Sequence, residues 1–268
     1  PPRSTLFPYT TLFRSAKSII ALTGTPVENR LTELWSIFHL INKGYLGNVE
    51  NFKRNFATPI EKYRNIERAE QLRKITSPFI LRRLKKDKNI INDLPDKIIN
   101  DEYCSLTKVQ AALYQKVVDN TLKKIENSEG IERRGLIFSL ITGLKQICNH
   151  PHHFSKTGET TSVQSGKAEL LIQILYKILA NNEKTLIFTQ YKEMGEILEK
   201  IIRSEVQEET LFFHGGLTKT KRDKMISDFQ NNDNCKILVV SLKAGGTGLN
   251  LTKANNVIHY DLWWNPAV

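Results

Sequence analysis

Residues 236–261 read KILVVSLKAGGTGLNLTKANNVIHYD, and this stretch decides the fold class. It holds two short apolar runs, KILVVS and NVIHYD, with a glycine-rich turn between them. Two similar runs precede it, TLIFTQ (185–190) and TLFFHG (210–215), and segments of helical periodicity separate all of them. Apolar runs of about four to six residues that alternate with helices are typical of a parallel sheet with crossover helices. We therefore predict an α/β fold from Gly166 onward.

The chain upstream of this region begins differently. The run SIIAL (18–22) resembles a short strand, and the turn TGTP follows it. An amphipathic helix is predicted from Glu28 to Ile41. Thr25 is its expected cap and Pro26 its first helical residue, because the missing N–H of proline costs nothing at that position.

The middle of the chain is predicted to be mainly helical. Helical periodicity extends with interruptions from Ile41 to Leu84 and returns from Thr107 to Cys148. The polar stretch KKDKNIINDLPDK (85–97) separates these two blocks, which indicates a break. We predict two helical blocks joined by a basic linker.

The first 15 residues, PPRSTLFPYTTLFRS, are unlike the remainder of the chain. They contain two Thr-Leu-Phe triplets and two Arg-Ser pairs, and no Met begins them. We interpret this leader as a disordered, translated cloning or adapter artefact fused to a truncated gene, and we exclude it from fold prediction.

The charge of the chain suggests a polyanionic partner. The formal net charge is +11, and the segment from Lys53 to Lys97 carries 13 Lys and Arg residues against six Asp and Glu. Basic side chains gain affinity for nucleic acid by releasing counterions from its phosphates. A solvated helical face is the alternative interpretation of the same segment.

Membrane, disulfide and metal sites are not predicted. No stretch approaches the ~18 to 20 apolar residues of a membrane span, and no secretory signal is present. Cys104, Cys148 and Cys235 lie far apart without a C-x-x-C pair, so we expect reduced core or half-buried residues. The histidines at 150–153 surround Pro151, which breaks the helical spacing of metal ligands.

Three segments carry residue types suited to ligand binding. LTGTPVEN (22–29) brings two hydroxyls and a glycine to a tight turn, although capping alone would also explain them. In SLKAGGTGLN (241–250), glycines at a strand end allow backbone N–H groups to approach a phosphate, and Lys243 adds charge. YDLWWNP (260–266) brings a carboxylate and two indoles to another strand end, and the indoles could instead be core. Ligands of open α/β sheets bind at such carboxyl ends.

Together and in this order, these segments resemble the Swi/Snf-type ATPases of helicase superfamily 2, translocases on double-stranded DNA. ALTGTPVEN (21–29) is similar to helicase motif III, TLIFTQY (185–191) to motif IV, and the stretch from Ser241 to Pro266 to motif V with its extension. The insert signatures SPFILRRLKKD, LPDK and LKQICNHP also resemble this family and distinguish it from strand-separating helicases. The resemblance covers Ala16 to Val268, and PVENRLTELWSIFHLINKGYLG is more similar to bacterial members.

The resemblance implies a RecA-like helicase C-terminal lobe, preceded by largely α-helical inserts and a remnant of the first RecA-like lobe. The implied domains are the leader at 1–15, the end of lobe one at 16–30, a helical insert with basic linker at 31–97, a second helical insert at 98–165, and lobe two at 166–268.

Site residues follow from the same resemblance. Those of the nucleotide cleft and its coupling would be Thr23, Gly24, Thr25, Gly245, Gly246, Thr247, Gly248, Asn250 and Asp261. Asn250 stands where related helicases carry an Asp that contacts the ATP ribose, which leaves that contact open. Those that contact nucleic acid would be Arg82, Arg83, Gln190, Tyr191, His214, Gly215, Lys243 and Trp263. A salt-bridged structural role is the alternative for Arg82 and Arg83.

The implied function is ATP-driven movement on double-stranded DNA that remodels protein–DNA complexes, with ATP and Mg²⁺ as cofactors of the parent protein. Implied partners are double-stranded DNA and RNA polymerase or other DNA-bound proteins, in a bacterial cytoplasm and nucleoid or in a eukaryotic nucleus. One alternative is a non-catalytic module that binds nucleic acid or protein. A second alternative, a strand-separating RNA helicase, is disfavoured by the CNHP and LRRLK blocks.

Parts of the motor are missing from this sequence. Ser165-Gly166-Lys167 imitates a phosphate-binding loop, but Thr161 replaces its first glycine and Ala168 its hydroxyl. Asp101-Glu102 imitates the magnesium-binding acidic pair but follows LTGTP instead of preceding it. The resemblance implies that both true elements lie upstream of Ala16, and that the arginine-bearing motif follows Val268.

The 268-residue chain is accordingly expected neither to bind ATP tightly nor to hydrolyse it. An arginine finger alone contributes on the order of a thousandfold or more to turnover, and the phosphate loop is absent as well. Phosphate release by purified chain should therefore stay at background with and without duplex DNA. DNA-stimulated release above background would contradict this prediction.

Overall fold

A computed structural model describes residues 17–82, 97–245 and 249–265. These residues divide into two compact units. The first unit comprises the described residues of Pro1–Ile99 and Trp263–Val268, and the second those of Asn100–Leu262. The leader at 1–15 and most of the LPDK signature lie outside the described residues. The finer domain boundaries stay a prediction.

The first unit is helical over its described residues. Its elements are α1 (Leu31–Ile41), α2 (Val49–Phe52), a π-helical turn (Lys53–Ala57), α3 (Thr58–Tyr63), α4 (Ile66–Thr76) and a 3-10 turn (Ser77–Phe79). Apolar side chains from these helices form one small core, which buries Phe38, Phe52 and Leu72. The indole N–H of Trp35 donates to the carbonyl of Gly47 at 3.1 Å and fixes the loop after α1.

The start of this unit differs from the prediction in two ways. Helix α1 begins at Leu31 rather than Glu28, and Thr25 does not cap it. The Glu33 carboxylate in its first turn accepts the backbone N–H groups of Glu28 and Asn29, which holds these residues in a turn before the helix. The predicted strand at 18–22 is not formed, since a strand needs a hydrogen-bonding neighbour and the described residues of this unit contain none.

Helices also begin the second unit. They are α5 (Lys108–Glu126), α6 (Gly130–Asn149), α7 (Pro151–Ser155), a 3-10 turn (Ser162–Gln164) and α8 (Gly166–Ala180). Thr107 and Gln110 form a reciprocal capping box at the start of α5. The block of helical periodicity from Thr107 to Cys148 consists of the two long helices α5 and α6, which residues 127–129 separate. Gly130 begins the second of them with φ of 58°, which glycine tolerates best.

The remainder of the second unit alternates strands and helices. The elements are β1 (Thr185–Thr189), α9 (Lys192–Glu205), β2 (Thr210–Phe213), α10 (Lys219–Asn231), β3 (Ile237–Ser241), the short α11 (Leu242–Gly245) and β4 (Asn256–His259). The strand order is β2-β3-β1-β4, and all pairs are parallel. The predicted α/β class with a parallel sheet and flanking helices is confirmed.

The sheet has a core on each face. On one face, Ile187 and Val239 pack with α8 and α9, and on the other Leu186 and Leu238 pack with α10. The two sets alternate along paired strands, since neighbouring side chains of a strand point to opposite faces. Strand β3 is buried throughout and lies inside the sheet.

The three cysteines of the second unit differ in burial. Cys235 lies in the core and Cys148 is half-buried, but Cys104 is exposed, so the prediction for Cys104 is wrong. Burial raises the pKa of the Cys235 thiol to about 11. No helix in the described part of the chain is long and apolar enough to cross a membrane.

Gly195 is required by the packing of α9 on the sheet. A Cβ at this position would lie 2.2 Å from the buried Phe212 ring, so Gly195→Ala should lower the free energy of unfolding by about 1–3 kcal/mol. Gly135→Ala is the matched control, because Gly135 is exposed on α6 and an added Cβ would meet nothing within 4 Å. It should stabilise by about 0.5–1 kcal/mol. Urea unfolding measures both, and equal effects would contradict the packing argument.

Candidate functional site

A groove of about 440 Å³ opens at the carboxyl ends of β1, β2 and β3 in the second unit. Parallel strands carry all their carboxyl ends to one edge of a sheet, and ligands of open α/β sheets bind there. Three turns supply the lining residues, which are Gln190, Tyr191, Lys192, Glu193, His214, Gly215, Gly216, Ser241 and Lys243.

A buried carboxylate fixes the turn after β1. Asp261 is 3% exposed, and its Oδ1 accepts the backbone N–H of Gln190 at 2.7 Å. Its Oδ2 accepts from the Thr189 hydroxyl at 2.6 Å and from the Asn149 amide at 3.0 Å. Tyr191 N–H in turn donates to the Thr189 hydroxyl oxygen at 3.3 Å. Two groove residues, Gln190 and Tyr191, are therefore positioned from below by Asp261.

Asn149, at the end of α6, extends this network. Its side-chain oxygen accepts from Lys167 Nζ at 3.0 Å, and its backbone carbonyl accepts from the hydroxyls of Ser165 and Tyr260, each at 2.7 Å. Burial raises the pKa of the Tyr260 hydroxyl, which keeps that group a hydrogen-bond donor. The Asn149 side chain thus links the Lys167 ammonium to the buried Asp261 carboxylate.

Lys145 also reaches the segment after β4. Its Nζ donates to the carbonyl of Leu262 at 2.9 Å. Burial lowers the pKa of the Lys145 ammonium, and the negative charge of Asp261 opposes that shift. The amide of Gln190 donates to the same carbonyl at 3.3 Å.

The turn after β2 offers a histidine and two glycines. His214 Nδ1 accepts the backbone N–H of Gly216 at 3.1 Å, which leaves Nε2 to carry the proton of the neutral ring. Burial, together with the charge of Lys192, lowers the pKa of His214, so the ring is neutral at pH 7. Gly215 is exposed, and nothing lies within 4 Å of the place a Cβ would occupy. A ligand can therefore approach its backbone closely.

The turn after β3 adds charge to the groove. Lys243 is exposed in the short helix α11, while Ser241 at the strand end is buried. Gly245 closes the turn, and a Cβ there would lie 2.9 Å from the Phe188 ring. Lys192, which also lines the groove, is paired with Glu196 at 3.3 Å.

The structure brings five of the predicted nucleic-acid residues together, namely Gln190, Tyr191, His214, Gly215 and Lys243. The other described residues of that group belong to the first unit, where Arg82 is exposed and Trp263 is half-buried. Arg83 lies outside the described residues.

The predicted nucleotide residues are not gathered within either unit. Thr23, Gly24 and Thr25 lie in an exposed loop of the first unit, where the Thr25 hydroxyl donates to Glu28 at 3.0 Å. Asn250 is exposed in the second unit, and its backbone carbonyl accepts from Gln230 at 2.9 Å. Gly246, Thr247 and Gly248 lie outside the described residues.

Sequence reasoning missed several residues of the site. Lys192 and Glu193 line the groove, and only their position directly after motif IV could have indicated it. Asn149 belongs to the CNHP block, and the resemblance of that block gives it no site role. Lys167 was examined as a false phosphate loop, and its partners in the structure are the Asn149 side chain and the carbonyl of Tyr260.

ATP does not fit the described residues of either unit taken alone. Both oxygens of Asp261 are occupied by protein donors, and the Thr25 hydroxyl is engaged with Glu28. A phosphate site needs several free backbone N–H groups with a cation or a helix N-terminus. The described residues of each unit alone therefore do not form a complete ATP site.

Two protein families match this chain, one in each part of it. The SNF2-related domain family matches residues 3–153, and the helicase conserved C-terminal domain family matches residues 166–268. YwqA of Bacillus subtilis, named as a candidate ATP-dependent helicase/translocase, is 46% identical over 93% of this chain and 27% of its own length. The DNA repair and recombination protein RAD26 of Saccharomyces cerevisiae is 34% identical over 92% of this chain and 24% of its own.

Solved structures of SWI2/SNF2 ATPases are also similar to this chain. The Sulfolobus solfataricus SWI2/SNF2 ATPase core in complex with dsDNA is 48% identical with a TM-score of 0.61, over 92% of this chain and 52% of that one. The C-terminal domain of the Sulfolobus solfataricus SWI2/SNF2 ATPase is 47% identical with a TM-score of 0.60, over 65% and 75% of the two chains. The chain spans about a quarter of the length of the curated relatives it matches.

Asp261→Asn tests the buried network. An amide has one accepting oxygen where the carboxylate has two, so at least one buried donor loses its partner, at a cost of about 1–3 kcal/mol in the free energy of unfolding. Asp233→Asn, at an exposed turn, is the control and should change it by less than about 0.5 kcal/mol. Denaturant unfolding measures the stability of both variants. Equal stabilities would contradict the organising role of Asp261.

Proposed function

The chain belongs to the SNF2-related domain family, and from that premise we propose that it is the DNA-tracking part of an ATP-driven translocase on double-stranded DNA. In this proposal the groove at the carboxyl ends of β1, β2 and β3 holds one phosphodiester strand of the duplex. The longer protein couples movement along that strand to ATP hydrolysis.

The convergence of five sequence-predicted residues on one groove carries the proposal. Lys243 supplies a positive charge, Gln190 supplies an amide, and the neutral His214 ring supplies an N–H donor. The exposed backbone at Gly215 allows a phosphate oxygen to come close. In the proposal these groups contact the phosphate backbone rather than base edges, which suits movement along DNA of any sequence.

The nucleotide belongs to the longer protein in this proposal. ATP and Mg²⁺ would be held by elements that this chain does not supply within either of its described units. Thr23, Thr25, the glycine-rich turn from Gly245 to Gly248, and Asn250 are proposed to sense that nucleotide. Candidate targets of the motor are RNA polymerase and other proteins bound to DNA.

A non-catalytic binding module remains the second candidate, since the groove would bind a phosphate backbone with or without turnover. The two functions separate in a longer protein that includes this chain. A translocase hydrolyses ATP faster when duplex DNA is added and displaces a third strand from a triplex, whereas a binding module does neither.

Duplex binding by the 268-residue chain tests the groove directly. Lys243→Ala should weaken binding of a fluorescent DNA duplex and should lower the slope of log affinity against log salt by about one, because one fewer counterion is released. Lys177→Ala removes the same charge from an exposed position on α8 outside the groove lining. It should leave the slope unchanged.

Anisotropy titrations at several salt concentrations provide the measurement. A slope unaffected by Lys243→Ala would take Lys243 off the DNA surface. Stronger binding of an RNA duplex of the same sequence would favour the RNA-helicase alternative instead.

A further inference from the structure

The proposed phosphate groove contains an acidic residue that ought to repel its ligand. Glu193 lies in the first turn of α9, lines the groove, and has a side chain that is 57% exposed. The positive end of the α9 dipole favours a carboxylate at this place. A phosphate at the groove would still meet a like charge, which weakens binding unless a cation compensates it.

Lys156 supplies that cation. It follows α7 with a left-handed backbone, φ 59°, and its ammonium forms an ion pair with the Glu193 carboxylate. The same ammonium donates to the carbonyl of His153 at 2.8 Å, which anchors it to the α7 turn. Lys156 is 37 residues away from Glu193 in sequence and is not among the residues that line the groove.

His153 lies beneath this pair but adds no charge to it. Its ring is 1% exposed and packs edge-on against Tyr191 with a centroid distance of 4.9 Å. Its Nε2 is 3.8 Å from Glu193 Oε2, too far for a hydrogen bond. Burial lowers the pKa of His153 to about 4, so the ring is neutral at pH 7. Lys156, which forms the ion pair with Glu193, therefore balances the charge of this carboxylate.

We propose that Lys156 is a positioning residue for DNA binding, which acts by holding and neutralising the Glu193 carboxylate at the edge of the phosphate groove. Lys156 does not itself touch the phosphate in this scheme. Loss of the ion pair would free a negative charge to face the DNA backbone. The inference rests on the proposed function, because it concerns the occupant of the same groove.

If Lys156 and Glu193 formed only an ordinary surface ion pair, breaking it would not change DNA binding. Exposed pairs contribute little to folding and have no reason to influence a ligand that contacts neither partner. Here one partner lines the groove and the other is held from behind by a backbone carbonyl. The effect of Lys156 on DNA binding should therefore run entirely through Glu193.

A double-mutant cycle tests this dependence. Lys156→Gln is introduced into the 268-residue chain and into its Glu193→Gln variant, and the affinity of each for a DNA duplex is measured at low salt. In the wild-type background, Lys156→Gln should weaken binding about fivefold, as expected for one like charge near a phosphate in water. In the Glu193→Gln background, the same change should have no effect.

Arg203→Gln is the matched control. Arg203 pairs with Glu199 at 3.1 Å on the same helix, and neither residue lines the groove. Breaking that pair removes the same charge and should leave affinity within about twofold of wild type, because exposed pairs away from the ligand are largely screened. Thermal unfolding of all variants confirms that they are folded.

Each outcome decides the inference. Equal weakening by Lys156→Gln in both backgrounds would mean that Lys156 contacts the phosphate itself, and no weakening in either would mean that the pair is inert. Both results would overturn the proposal while leaving duplex binding by the groove intact. Failure of the wild-type chain to bind any duplex would instead reject the proposed function, and this inference with it.

A second readout needs no DNA. Lys156 is the main cause that lowers the pKa of the Glu193 carboxyl. In Lys156→Gln the pKa of Glu193 should rise toward its ordinary value, as followed by carbon-13 NMR of the side-chain carboxyl. An unchanged pKa would show that the ion pair does not form in solution.

Discussion

Burial of the Asp261 carboxylate is the constraint on which the groove depends. A carboxylate taken out of water is tolerated only where donors replace its hydration. The side chain of Asn149, the hydroxyl of Thr189 and the backbone N–H of Gln190 do so here. These three donors come from the end of α6, the end of β1 and the turn after β1, so the carboxylate ties the helical part of the second unit to its sheet.

This buried network explains why the groove has a defined shape. The residues of the β1–α9 turn face outward as groove lining and inward as partners of Asp261, directly for Gln190 and through Thr189 for Tyr191. Two residues also connect the short helix α7 with the start of α9. Lys156 pairs with Glu193, and His153 packs against Tyr191. Helices that precede the sheet thus set the position and the charge of a groove formed by strand ends.

The same network gives a physical role to the LKQICNHP block. In the LKQICNHP block, the side chain of Asn149 connects Asp261 with Lys167, and its backbone carbonyl accepts two hydroxyls. The sequence Ser165-Gly166-Lys167, which imitates a phosphate loop, serves this network instead. Gly166 is needed there because a Cβ would lie 1.9 Å from the carbonyl oxygen of Ser105.

The sequence by itself determined the parallel sheet and the residues at its strand ends, because burial periodicity and strand-end chemistry are local properties of the chain. The resemblance to the Swi/Snf-type ATPases grouped Gln190, His214 and Lys243, and the structure brings them together at the carboxyl edge that parallel strands share. The sequence-based prediction placed the start of α1 at Glu28 instead of Leu31, because the Glu33 carboxylate of the helix accepts backbone N–H groups of the preceding turn. Only the tertiary structure decided the pairs Asn149–Asp261 and Lys156–Glu193, which join residues 112 and 37 positions apart. No periodicity or motif spacing encodes such pairs, because their geometry arises only when the helices pack against the finished sheet.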